Sequence, residues 1–117
     1  MRPELKIDSV RSESSGTTGR AVSHGHGAAL TLDSSSRPQP DAFTNSEAFL
    51  GAVSSCGVTL IEMHAQETGV PLQRMSVTIE GARDPAVPRY QSVHMRFEMA
   101  GVTQAQAEDL VKVYRSR

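Results

Sequence analysis

The sequence predicts an α+β domain built around one long apolar helix, and three observations support that class. Apolar residues recur at every second position over residues 28–32, 75–80 and 93–99, which is the period of a half-buried strand. Residues 48–63 are mostly apolar and lie within a predicted long helix over residues 46–68, which has a helix start before it and a helix stop after it. The resulting order of short strands, long helix, two strands and final helix contains no repeat and is typical of α+β proteins.

The first forty residues predict short strands separated by turns. Leu5 and Ile7 alternate with charged residues and predict a first strand. A second extended piece begins at Arg20, and the glycines of the HGHG run at 24–27 predict a tight turn before a third strand that ends at Asp33. A Ser/Pro-rich loop over residues 34–43 then separates these strands from the long helix.

A capping box marks the start of the long helix. Thr44 fits the N-cap position and Glu47 fits the third helical position, and Gly69 supplies the stop. The segment is apolar on nearly every face, so we expect it in a core or at an interface. Gly51 and Gly57 allow another element to pack closely against it. No apolar stretch reaches the roughly 18–20 residues that a membrane span needs.

Two strands and a second helix follow the long helix. The alternation over 75–80 and 93–99 predicts an antiparallel pair, with His94 facing outward. The segment 103–106 repeats the capping-box pattern. One apolar face of the final helix then contains Ala107, Leu110, Val111 and Tyr114.

Charge and cysteine content exclude several classes of protein. The chain has 12 basic and 13 acidic residues and a net charge of −1, which gives no overall attraction for nucleic acid or anionic membranes. Its one cysteine, Cys56, cannot form an intrachain disulfide, and the N-terminus lacks the apolar run of a secretory signal. We therefore expect a cytoplasmic protein that binds neither nucleic acid nor a membrane.

Cys56 is the candidate nucleophile, and the residues leave two interpretations open. Most free cysteines are small buried hydrophobes. A reactive thiol instead needs a nearby cation or helix N-terminus that favours the thiolate. The helical neighbours of Cys56 are all uncharged, so a cation would have to come from an arginine on another segment or subunit. Those neighbours are Ala52, Val53, Thr59 and Leu60.

Glu47 has a structural role in the capping box and is also a candidate for the site. It precedes Cys56 by nine residues, which is about 13–14 Å along a straight helix. The two side chains cannot touch within one helix. A site that uses both therefore brings different helices together, most simply across a dimer.

Histidines raise the question of a metal site. His24 and His26, together with Cys56 or His64, could imitate zinc ligands. No CxxC or HxxxH spacing accompanies them. We therefore expect no bound metal and no other cofactor.

The run TNSEAFLGAVSSC at 44–56 resembles the OsmC/Ohr family, the osmotically induced and organic-hydroperoxide-resistance proteins. Members of that family carry a (T/S)-N-P-E-E-L helix start, a run of small or apolar residues and then a cysteine. The MHAQETGVPL continuation at 63–72 and the GRAV segment at 19–22 are also similar. The resemblance spans about residues 5–117 and implies a single OsmC-like domain over residues 1–117.

The resemblance implies antiparallel sheets wrapped around a long buried central helix in an intertwined homodimer. It also implies a thiol-dependent peroxidase that reduces organic or inorganic hydroperoxides, with an external dithiol as reductant. Cys56 maps to the cysteine that becomes a sulfenic acid. Glu47 maps to the second member of the family's glutamate pair, since Ser46 holds the first. Arg37 is the candidate for the activating arginine, with Arg20 as the alternative.

One departure from the family concerns the second cysteine. Family members carry a resolving Cys-Pro pair at about the position that follows Arg117, whereas this chain has a single cysteine. We therefore expect the chain to be truncated relative to the family at its C-terminus. Two other functions remain open: a non-catalytic OsmC-fold protein that binds an apolar ligand or partner, and a His/Cys metal protein.

Overall fold

A computed structural model describes residues 4–87 and 89–116. The chain divides into two compact units, Met1–Ala48 and Phe49–Arg117. The expected truncation after Arg117 lies outside the described residues, and the prediction of a single domain stays a prediction. The elements in chain order are β1 (Arg11–Ser14), β2 (Arg20–Gly25), β3 (Ala28–Asp33), β4 (Phe43–Thr44), α1 (Asn45–Thr68), β5 (Arg74–Ala82), β6 (Ser92–Ala100) and α2 (Gln104–Arg115).

The first unit is a four-stranded sheet in the order β1-β2-β3-β4. Strands β1, β2 and β3 are antiparallel, and β4 runs parallel to β3. The β2–β3 turn places His26 at φ 55° and Gly27 at φ 79°. Two consecutive residues with positive φ are what a tight two-residue hairpin requires. The predicted turn and third strand are therefore confirmed.

The predicted strand at Leu5 and Ile7 is wrong. Neither residue lies in a strand, and their exposed fractions are 87% and 82%. Strand β1 begins later and pairs Arg11 with His24 of β2. Because β2 ends at Gly25 where the hairpin turns, it has no residues left to pair with residues 5–8. The register of the neighbouring strand overrides the local alternation.

The second unit contains a β5–β6 hairpin whose register pairs Val77 with Phe97. Alternate residues of β5, and of β6 from Met95 onward, are half-buried, and the residues between them are exposed, as is His94. The predicted antiparallel pair is confirmed, but Val93, which the alternation placed on the apolar face, is 45% exposed. The core consists of buried residues from both helices and of half-buried residues that pack against them. Its buried members are Ile61, Ala65 and Leu110.

Both helices begin at the predicted capping boxes. The Thr44 N–H donates to the Glu47 carboxylate at 2.9 Å, and the Glu47 N–H donates to Thr44 Oγ1 at 3.2 Å. Thr103 and Gln106 form the same reciprocal pair at the start of α2. Gly69 follows α1 with φ 73°, the left-handed conformation that ends many helices. The local sequence signals for these helix ends are therefore confirmed.

Half of the residues of α1 are exposed in a single chain. Its buried residues are Gly57, Ile61 and Ala65, whereas Phe49 is 59% and Met63 is 55% exposed. By length and composition alone the helix could cross a membrane, with a mean hydropathy of 1.3 over 18 residues. The expectation that no stretch meets that criterion is therefore wrong, because small Ser, Thr and Gly residues lower the mean only slightly. Core helices of soluble proteins meet the same criterion.

Candidate functional site

Cys56 lies in the middle of α1 with an exposed side chain. Phe49, Ala52, Thr59 and Met63 are exposed on the same helix, and their spacing from Cys56 by three, four or seven residues places them on one face with it. The thiol therefore belongs to a surface of small and apolar side chains. The interpretation of Cys56 as a small buried hydrophobe does not hold in the single chain.

The turn of α1 that carries Cys56 is fixed from the core side by α2. Gly57 is buried, and a Cβ atom placed there would lie 3.5 Å from the ring of Tyr114. The Tyr114 hydroxyl donates to the Val53 carbonyl at 3.2 Å. The same ring meets Phe97 edge-on, with centroids 5.9 Å apart. The expected close packing at Gly57 is thus confirmed, while the bond from Tyr114 to α1 was not expected from the sequence.

An aromatic pair lies on the exposed side of α1, two helical turns before Cys56. The rings of Phe49 and Tyr90 stack with centroids 6.4 Å apart and planes inclined by 20°. Tyr90 also lies directly on Gly81 of β5, where a Cβ atom would approach within 2.6 Å of ring carbon Cδ1. Gly81 therefore leaves the space that the Tyr90 ring occupies.

Glu47 is an exposed residue at the start of α1, and its carboxylate accepts the Thr44 N–H. Nine residues of helix separate it from Cys56, which is about 13–14 Å. The two groups therefore do not meet within one chain. The structural role of Glu47 in the capping box is confirmed, and its catalytic role stays a prediction.

The two candidate arginines differ in their partners within the first unit. Arg20 forms two hydrogen bonds to the buried Asp33 carboxylate, 2.7 Å from Nε and 3.0 Å from Nη2, and Nη2 also contacts Asp41 at 2.5 Å. These hydrogen bonds lower the pKa of both Asp33 and Asp41 and raise the pKa of Arg20. The guanidinium of Arg20 is therefore already neutralised by two carboxylates.

Arg37 is exposed in the loop between β3 and β4. Its backbone N–H donates to the Ser34 carbonyl at 2.9 Å. It lines a groove of about 430 Å³ that also includes Arg20 and Asp33. Within residues 4–87 and 89–116, no carboxylate forms an ion pair with Arg37. Of the two candidates, Arg37 is therefore the one whose charge is uncompensated.

The pairing of Arg20 with Asp33 could have been found in the sequence. With a two-residue turn at His26 and Gly27, counting outward along the hairpin places Arg20 opposite Asp33, as observed. Opposite charges at facing positions stabilise a strand pair. The hairpin register was therefore the missed signal.

The histidines do not assemble a metal site in the part of the chain that the structure covers. His24 Nε2 lies 2.9 Å from the Glu13 carboxylate on the neighbouring strand. No group of three or more His, Cys, Asp or Glu side chains among the described residues is close enough to hold a metal ion. The hypothesis of a His/Cys metal protein gains no support from this arrangement.

These features define a class: an α+β protein with a single thiol exposed on a long, largely apolar helix. The family model for OsmC-like protein matches residues 38–117. The chain therefore belongs to the OsmC-like family, as the resemblance at 44–56 predicted. Members of this family are generally soluble. No curated protein sequence is significantly similar to this chain.

Several solved structures share the fold at low sequence identity. The OsmC-like protein of Mycoplasma pneumoniae is 12% identical, with a TM-score of 0.82 over 96% of this chain and 82% of that one. For the organic hydroperoxide resistance protein OsmC of Legionella pneumophila, the identity is 17% and the TM-score 0.71, over 97% and 85% of the two chains. The organic hydroperoxide resistance protein OhrB of Bacillus subtilis is 13% identical, with a TM-score of 0.63 over 97% and 86%. The predicted α+β, OsmC/Ohr-like fold class is confirmed.

Proposed function

We propose that this protein is a thiol-dependent peroxidase that reduces hydroperoxides through Cys56. The observation that carries the proposal is the exposure of the Cys56 thiol on the apolar face of α1, because a peroxide must reach the sulfur directly. Membership of the OsmC-like family supports it. The names of the Legionella and Bacillus proteins, both organic hydroperoxide resistance proteins, point the same way.

The proposed chemistry balances with a hydroperoxide and a dithiol. The Cys56 thiolate attacks one peroxide oxygen, the O–O bond breaks, and the other oxygen leaves with a proton as an alcohol or water. Cys56 becomes a sulfenic acid. A thiol of the external reductant then attacks the sulfenic sulfur and releases water, which forms a mixed disulfide. The second thiol of the reductant breaks that disulfide, so the dithiol is oxidised and the Cys56 thiol is restored.

A second copy of the chain completes this proposal. The helical neighbours of Cys56 are uncharged, and its thiolate needs a cation. We assign that cation to Arg37 and a supporting role to Glu47, brought to Cys56 in a homodimer. The exposed side chains of Phe49 and Met63 on α1 support a dimer whose interface borders Cys56 and leaves a path for the peroxide to the sulfur, because monomeric proteins rarely leave a contiguous apolar surface uncovered. The proposed location is the cytoplasm, whose reducing conditions suit a free thiol.

A steady-state assay of the protein with an organic hydroperoxide and a dithiol tests the proposal. We expect turnover that Cys56→Ser abolishes and that Ser55→Ala, a change at the exposed neighbouring residue, leaves unchanged. Turnover that survives Cys56→Ser would exclude Cys56 as the nucleophile. A native protein without turnover would favour the non-catalytic alternative.

The charged groups are tested with variants that preserve structure. Glu47→Gln keeps an acceptor for the Thr44 N–H but removes the charge, so a lower rate with unchanged stability supports a role in the reaction. Arg37→Gln is expected to slow the oxidation of Cys56, whereas Arg96→Gln on the exposed face of β6 is the matched control. Equal rates in both arginine variants would remove Arg37 from the proposed site.

A further inference from the structure

A groove lies between α2 and β6, and none of the residues that line it takes part in the proposed peroxidase chemistry. Its volume is about 390 Å³, and it lies entirely within the second unit. Small-molecule sites commonly have volumes of roughly 300–1,000 Å³. At roughly 30 Å³ for each water-sized group, the groove holds about a dozen non-hydrogen atoms.

The floor of the groove is apolar and well supported. Phe97 and Met99 of β6 contribute half-buried side chains, with Val102 and Val111 beside them. The Phe97 ring is held by its edge-on contact with Tyr114. The floor therefore packs against the core on one side and presents apolar surface on the other.

Charge is distributed unevenly along the rim. Lys112 and Arg115, both in the last turn of α2, line the groove, and both are exposed. Neither forms an ion pair with a carboxylate among residues 4–87 and 89–116. Glu108 lies one helical turn before Lys112 on the rim, and its carboxylate accepts a hydrogen bond from the Gln104 side chain at 3.5 Å.

This arrangement favours a ligand with one negative end and one apolar end. The two cations exceed the roughly half unit of negative charge that the helix dipole places at the C-terminal end of α2. An anionic group is thus attracted to Lys112 and Arg115, whereas Glu108 repels it further along. The apolar remainder of the ligand then covers Phe97 and Val111, which removes both from water.

We propose that this groove binds a medium-chain monocarboxylate, a free fatty-acid anion of about ten carbons, with its carboxylate at Lys112 and Arg115. The site does not involve Cys56 and does not depend on the proposed peroxidase activity. Decanoate is the probe, because its non-hydrogen atoms match the volume of the groove. Decanol, which has the same chain without the charge, is the matched control ligand.

Isothermal titration of the full chain with decanoate tests the proposal. We expect saturable binding of one decanoate per chain, with decanol bound severalfold more weakly. Each exposed charge pair contributes a factor of a few to the affinity. The variant carrying both Lys112→Gln and Arg115→Gln should therefore lose about tenfold in affinity for decanoate and little in affinity for decanol. Val111→Asp should abolish binding of both ligands, and Arg96→Gln should change neither.

Several results would overturn the proposal. Equal affinity for decanoate and decanol would show that Lys112 and Arg115 do not bind the carboxylate. Unchanged affinity in the double variant would place the carboxylate elsewhere. The absence of saturable binding would refute decanoate as a ligand. Binding only to vesicles of acidic phospholipid would assign the groove to a membrane surface, and self-association that Val111→Asp disrupts would assign it to a second copy of the chain. Circular dichroism of each variant verifies folding, and Cys56→Ser should bind decanoate as the native chain does.

Discussion

A methyl group added at Gly81 tests the packing on the exposed side of α1. A Cβ atom there would lie 2.6 Å from Cδ1 and 3.0 Å from Cζ of Tyr90, whereas carbon atoms pack at about 3.5–4.0 Å. The Tyr90 ring must therefore move and leave its stack on Phe49. Loss of the stack costs about 0.5–1.5 kcal/mol, and overpacking adds about 1–3 kcal/mol. Replacing glycine by alanine in a strand returns about 0.5–1 kcal/mol.

We therefore expect Gly81→Ala to destabilise the protein by about 1–3 kcal/mol in urea unfolding. In a Tyr90→Ala background the obstructing ring is gone, so the same change at Gly81 should stabilise the protein by about 0.5–1 kcal/mol. This reversal of sign depends on direct contact between the two residues. A Gly81→Ala effect that is the same in both backgrounds would refute the packing of Tyr90 on Gly81.

Three other changes probe the remaining structural contacts. Asp33→Asn removes a carboxylate whose pKa in the folded protein is held below its ordinary value by the hydrogen bonds from Arg20. The ionised carboxylate stabilises the fold at neutral pH, and this stabilisation is lost as the pH falls through the folded-state pKa of Asp33. The stability gap between native protein and variant, measured by urea unfolding, should therefore be largest at neutral pH and close in acid, and a pH-independent gap would contradict this. Tyr114→Phe should cost about 1 kcal/mol by thermal unfolding because it loses only the hydroxyl, which bonds to the Val53 carbonyl and contacts the Met95 sulfur. Tyr114→Ala should cost at least about 2–3 kcal/mol because it also removes the ring; equal losses would contradict the packing of the ring over Gly57. Glu47→Ala should cost about 1 kcal/mol and Glu47→Gln much less, since Gln can serve in a capping box; chemical denaturation measures both, and equal losses would mean that charge rather than the cap stabilises α1.

Local hydrogen bonding explains which elements could be predicted from the sequence. Both capping boxes and the turn at His26 and Gly27 depend on residues close together in the chain, so they can be identified from the sequence without knowledge of the fold. The strand proposed at Leu5 and Ile7 failed because a strand needs a partner, and β2 ends before it can pair with them. Alternation alone does not specify register.

The candidate site was predictable only in part. Cys56 and its uncharged neighbours could be identified from the sequence because they share one helix. The contacts of Tyr114 with Gly57 and of Tyr90 with Gly81 depend on packing between distant segments, and the glycines alone do not identify the rings that cover them. The compensation of Arg20 by Asp33 was accessible from the hairpin register, and it is the reason for proposing Arg37 rather than Arg20 as the activating residue.

The rate at which a hydroperoxide oxidises Cys56 tests the central claim most directly. In a single turnover with one equivalent of an organic hydroperoxide, the account predicts that Cys56 gains one oxygen atom by mass spectrometry while the hydroperoxide becomes its alcohol. The reaction should outpace that of free cysteine at the same pH. A sulfur that reacts no faster than the free amino acid would contradict the account, however exposed it lies on α1.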